Sequence, residues 1–271
     1  MFTSTNPALT NDDTFKEFYG QRGELAGRAN IATVQGVVNK TGLLVLIAVM
    51  AGAGGYKFVA SFPSLLWISA ITAFVICLGF FFLAQRNPAK ARIIGPLYAI
   101  VEGVFLGAFS GAIDRMLENM GYGIAGGVAL PAFIITISIL VAMLGLYKMK
   151  ILRPTRRFVS IVSVATGGIM LIYIIGFVLS FFGVSLPFVG LNSAATGGTA
   201  GLIGIGINLL ILGVASMWLI IDFGMVEQRI AQSGPKVEEW FLAFALIVSL
   251  AWIYFEAVKL VFRLQLLLGR D

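Results

Sequence analysis

Seven apolar runs fill most of this chain, at 41–60, 64–84, 94–113, 124–147, 158–183, 200–222 and 240–262. A helix needs roughly 20 residues to cross the hydrocarbon core of a bilayer. Within that core each segment must satisfy its own backbone N–H and C=O groups, which only helices and closed barrels do. The runs therefore predict an all-α, seven-transmembrane-helix bundle over 41–268, preceded by a polar tail over 1–40. Only 12% of the 271 residues are charged, about half the share of a soluble domain. The breaks fit: Pro63, Gln85 to Pro88, Asp114 to Asn119, Lys148 to Arg157, a Gly/Ser/Thr/Asn-rich loop at 189–199, and Ser233-Gly234-Pro235.

Lysine and arginine set the orientation, because cytoplasmic loops carry the excess. With the N-terminus inside and the C-terminus outside, only Lys57, Arg115, Lys259, Arg263 and Arg270 of the nineteen fall on the outer side. A multi-pass protein of a bacterial inner (plasma) membrane or of an organelle membrane fits this count, and the bacterial inner membrane is the expectation. The opening residues lack the basic-then-apolar pattern of a cleavable signal. With no histidine and a single Cys77, a histidine-ligated metal, a cysteine cluster and an internal disulfide are excluded. No cofactor box is present. No basic stripe with interleaved aromatics points to nucleic acid, and nothing resembles a nucleophile with its base, so an enzyme is not expected. Asp222 is the one aspartate inside a run, which removes a paired-aspartate intramembrane protease. Lys259 lies too near the outer end of the last run for a retinal-bearing lysine.

Chemistry is concentrated in three acids. Glu102 is the only charge in IGPLYAIVEGVFLGAFSGAI, and a carboxylate in hydrocarbon costs roughly 2.5–3.5 kcal/mol on insertion scales. It needs a protein partner, a water-filled cavity or a proton; a protonated Glu102 that donates a hydrogen bond to Tyr98 or to a backbone carbonyl of a neighbouring helix is the plain reading, and an ion or proton site is the functional one. Asp222 closes the sixth run, where its carboxylate could reach water at the cytoplasmic interface. Asn208, nearly four turns earlier, shares its face. Glu256 lies on a stripe with Ser249, Trp252, Lys259 and Arg263. There the plain reading is an i,i+3 pair with Lys259 and an Arg263 that snorkels outward. Gly103, Gly107 and Gly111 recur every four residues, a small-residue ridge that admits close approach of another helix and places the third helix at the centre. Gly52, Gly54, Gly55, Gly167 and Gly168 are read as packing positions too.

The segments TVQGVVNKTG, NPAKARIIGPLYAIVEGVFLGAFSG, PTRRFVSIVSVATGG, WLIIDFGMVEQ and PKVEEWFLAFALIVSLAWIYFEAVKLV, in this order, resemble the Bax inhibitor-1/YccA-like family, in its bacterial branch. The resemblance implies a seven-helix protein that leaks calcium in a pH-sensitive way, through a latch between an acid of the sixth helix and one of the seventh. Asp222 matches the first, Glu256 the second, and Glu102 an acid followed by glycine in the third helix. The seventh-helix acid is Glu here where Asp is more usual. Glu256 also lies about 24 Å along a straight helix from Trp240 at 1.5 Å per residue. Direct pairing with an interfacial Asp222 would need a break within 223–247.

Two functions follow as expectations. The first is a passive, pH-gated cation pathway carried by Asp222, Glu256 and Glu102 and lined by Asn208. No metal is firmly assigned, but calcium would bind transiently at Asp222 and Glu256, since hard cations favour carboxylate oxygens. The second is a regulator that transports nothing and binds another membrane protein, such as a membrane protease, through the glycine ridge and the tail.

Overall fold

The computed structural model describes residues 31–62, 66–180, 182–183 and 198–269. They form seven helices: α1 (Val34–Ser61), α2 (Leu66–Arg86), α3 (Ala91–Asn119), α4 (Ala129–Lys148), α5 (Arg156–Ser180), α6 (Gly198–Ala231) and α7 (Glu238–Leu268). Six are long and apolar enough to cross a membrane, and the shorter apolar stretch Ile71–Arg86 lies in α2. Among the described residues no strand forms; one isolated bridge joins Ile31 to Pro235. Each predicted run coincides with a helix. The loop read at 189–199 lies outside the described residues apart from its last two positions, which begin α6. Helix α1 starts at Val34, inside the stretch read as tail, because Thr33 caps it: its hydroxyl accepts the Gly36 N–H at 3.0 Å.

Three helices end in the same way. After α3, Tyr122 N–H reaches the Leu117 carbonyl at 2.8 Å and Gly121 N–H the Glu118 carbonyl at 3.0 Å, with Gly121 at φ 81°. After α4 and α6 the same pair of bonds forms around Lys150 (φ 61°) and Ser233 (φ 54°). These are Schellman closures, which normally place glycine at the left-handed position. Here α4 and α6 hold a side chain there.

Helices α1 and α3 make the closest approach. A Cβ on Gly103 would collide with the backbone of Ala48, one on Gly107 with Gly52, and one on Gly55 with Val104. Gly111 meets the Tyr56 ring. Apolar side chains gain little by leaving lipid for protein, so this contact rests on van der Waals packing that a bare backbone permits. Gly54, Gly167 and Gly168 differ: nothing lies within 4 Å of a Cβ built there, so they are not packing positions.

The centre of the bundle is α7 rather than α3. It packs against α1, α3, α4 and α6, whereas α3 packs mainly on α1, α2 and α7. Its polar residues Ser249, Glu256, Lys259 and Arg263 are all buried, and they require protein neighbours instead of lipid. Aromatic packing seats it on α3: Tyr98 meets Phe244 edge-on at 5.0 Å, and Phe109 meets Phe255 at 4.6 Å.

Candidate acidic sites of the helical bundle

Helix α6 runs nine residues past Asp222, so this acid does not close its helix at an interface. Phe223, Met225 and Val226 carry the packed face onward. Asp222 is 2% exposed, and Ser249 of α7 donates its hydroxyl to Oδ2 at 2.6 Å. Among the described residues no basic side chain forms an ion pair with Asp222. Its neighbours along α6, Leu219, Ile221 and Met225, and along α7, Ile247 and Leu250, are buried too.

Glu256 has a different environment. It is fully enclosed and receives three donors from three helices. Tyr173 of α5 donates its hydroxyl to Oε1 at 2.8 Å. Asn208 of α6 donates Nδ2 to Oε2 at 2.8 Å, and Lys259 of α7 bridges Oε2 at 2.8 Å. Lys259 also donates to the Tyr173 hydroxyl at 2.6 Å and lies over the rings of Tyr173 and Phe255. The donors run in one direction, from the ammonium to the phenol to the carboxylate, which fixes Glu256 as the acceptor. Lys259 and Arg263 are 6% and 3% exposed. The i,i+3 pair of Glu256 with Lys259 forms as the stripe suggested, but Arg263 does not snorkel to the surface; both cations turn into the bundle, where the carboxylate offsets the cost of burying a cation.

The implied latch between Asp222 and Glu256 is not formed. On α7 the group opposite Asp222 is Ser249, seven residues before Glu256, or about 10 Å at 1.5 Å per residue. Asn208 and Asp222 do share the α6 face that meets α7, as their spacing predicts, but each meets a different partner.

Glu102 is half-buried on α3, and among the described residues no hydrogen bond joins it to Tyr98; Cys77 of α2 is buried in the main core beside this stretch of α3.

Sequence reasoning overlooked three further acids. Asp114, read as a break residue, is 4% exposed inside α3. It accepts the Tyr56 hydroxyl at 2.8 Å and the Val128 N–H at 2.7 Å, which caps the start of α4. Gly127, at φ 76°, leaves no room for a Cβ beside this carboxylate. Glu239 closes the opposite end: it accepts the Thr33 N–H at 2.8 Å and pairs with Lys40, tying α1 to α7. Glu238 is buried beside Gly234. The acids facing the glycines are visible only once the helices are docked. Among the described residues no three metal-ligating side chains converge.

Comparison with known proteins places this geometry. A family model described as Bax inhibitor 1 like matches residues 6–266, nearly the whole chain, and the chain belongs to that family. Comparison with curated proteins and with solved structures finds no match.

Proposed function

We propose, from membership of the Bax inhibitor 1 like family and from the unequal settings of its buried acids, that this membrane protein is a passive cation pathway. Its cation is calcium, and its conductance responds to protons at Asp222. The observation that carries the reading is Asp222 itself: an enclosed carboxyl whose described partner is a neutral hydroxyl. Removing a carboxylate from water without a counter-charge is costly, so such a group is suited to exchange a proton or a cation. Glu256 already has Lys259 and serves as a fixed part of the wall. Ser249 can donate to an ionised Asp222 and accept from a protonated one, so the α6–α7 contact persists while the charge changes.

When ionised, Asp222 offers oxygen ligands that suit a hard cation. A proton removes that attraction, so calcium passage falls on acidification. The test is calcium flux into proteoliposomes across a pH series. The wild-type protein conducts more at high pH than at low pH, and Asp222→Asn removes the dependence. A pH response that survives Asp222→Asn removes Asp222 from the mechanism. Absence of flux at every pH would favour the reading as a regulator of another membrane protein.

A further inference from the structure

Helix α5 is attached unevenly. Its first half is built into the bundle: Val159, Val162 and Ile169 are buried in the main core. Thr166 accepts the Trp218 indole N–H of α6 at 2.8 Å, and Pro154, just ahead of the helix, presses on Gly224 so closely that a Cβ there would collide with it. Its second half is held more lightly, with Tyr173 packed against the edge of that core. From Met170 to Leu179 no side chain is buried, and Met170, Leu171, Ile172, Ile174, Ile175, Phe177 and Val178 are exposed. Across this half, the described polar contact is Tyr173, held by Glu256 and Lys259.

The two halves meet at Gly167-Gly168. Nothing within 4 Å requires either glycine to lack a side chain. Glycine in a helix interior weakens the helix relative to alanine, and adjacent small residues are among the recognised sites of helix kinks. Two glycines without a packing reason, at the boundary between a deeply packed half and a lightly packed one, mark a bending point. Behind the second half lie Glu256, fully enclosed, and Asn208, whose Oδ1 is a buried acceptor without a hydrogen-bond partner among the described residues.

We propose that the C-terminal half of α5 is a lateral gate, hinged at Gly167-Gly168 and bolted shut by Tyr173 on the Glu256–Lys259 pair, which covers the oxygen atoms of Glu256 and Asn208. The gate itself rests on geometry alone; that it admits cations rests on the function proposed above. Glu256 and Asp222 are both enclosed, so anything that reaches them from outside needs an element that can leave without unpacking the core. The second half of α5 meets that condition: swinging it outward breaks the Tyr173 hydrogen bonds and exposes little apolar core.

Spin labels test this in a Cys77→Ala background, placed at exposed positions. One pair, at Ile175 and Leu209, spans the free half of α5 and α6; the other, at Ile161 and Met217, spans the anchored half. Tyr173→Phe keeps the ring and removes the bolt. The expected result is a longer and broader distance distribution for 175–209 with 161–217 unchanged, and a rise in calcium flux. Adding Gly167→Ala and Gly168→Ala, which fit the open space there, should narrow the 175–209 distribution again. An unchanged 175–209 distribution in Tyr173→Phe overturns the gate whatever the flux does. Movement of both pairs together overturns the hinge. Movement of 175–209 alone with no change in flux supports the gate and overturns the cation reading.

Discussion

Asp222 and Glu256 both meet partners on α7 inside the same bundle, and the protein treats them in opposite ways. Glu256 has an ammonium, a phenol and an amide, drawn from three helices. Asp222 has one serine hydroxyl. A buried carboxylate with a counter-ion and neutral donors around it is a structural fixture, and removing the counter-ion leaves a charge stranded. A buried carboxyl with one adaptable donor can change its charge without losing its contact. The difference therefore separates a group that holds helices together from a group suited to report or bind what enters the bundle.

Substitutions at the two places should diverge, and the sharpest divergence is at Glu256. Lys259→Met removes the ion-pair partner in contact with its carboxylate, and breaking a buried pair in this way costs about 3–5 kcal/mol, measured by denaturation in mixed micelles. Replacing both members with Met should recover most of that loss; a double variant as weak as the single one would mean the site depends on more than charge balance. Ser249→Ala strands Asp222 without its donor and should cost about 1–3 kcal/mol. Equal losses for Ser249→Ala and Lys259→Met would erase the proposed contrast. Tyr173→Phe removes two interhelical hydrogen bonds, for each of which about 0.6 kcal/mol is typical in membranes, so its effect should be seen in the position of α5 more than in stability. Asp222→Asn should change stability least, by under about 1 kcal/mol, since the amide oxygen still accepts the Ser249 hydroxyl and no buried charge is left behind.

Much of the fold could be read from the chain because lipid imposes a simple rule: a segment that crosses must be apolar and helical. Every run therefore became a helix. The ends were harder to read. Lys150 and Ser233 occupy left-handed positions that a reader would assign to glycine, and α6 continues past the apolar run because Met225 and Val226 still face the core. This moved Asp222 from a presumed surface to the interior. The acids themselves stood out by their cost in hydrocarbon, but their partners did not. Ser249 and Tyr173 are ordinary members of apolar runs until docking brings a carboxyl beside them. The same limit affected the glycines: Gly107 and Gly167 look alike in sequence, yet one touches a neighbouring backbone and the other touches nothing. Asp114 escaped notice because it opens a polar stretch, which is also how a loop begins.

The account stands on Asp222 being the group that exchanges protons while Glu256 remains part of the frame. Infrared difference spectra recorded as the reconstituted protein is acidified test this directly, through the carbonyl band of a newly protonated carboxyl. The account predicts a band that is lost in Asp222→Asn, shifts in Ser249→Ala because its hydrogen-bond partner is gone, and survives in Glu256→Gln. A band that persists in Asp222→Asn and vanishes in Glu256→Gln would reverse the two roles and contradict the account.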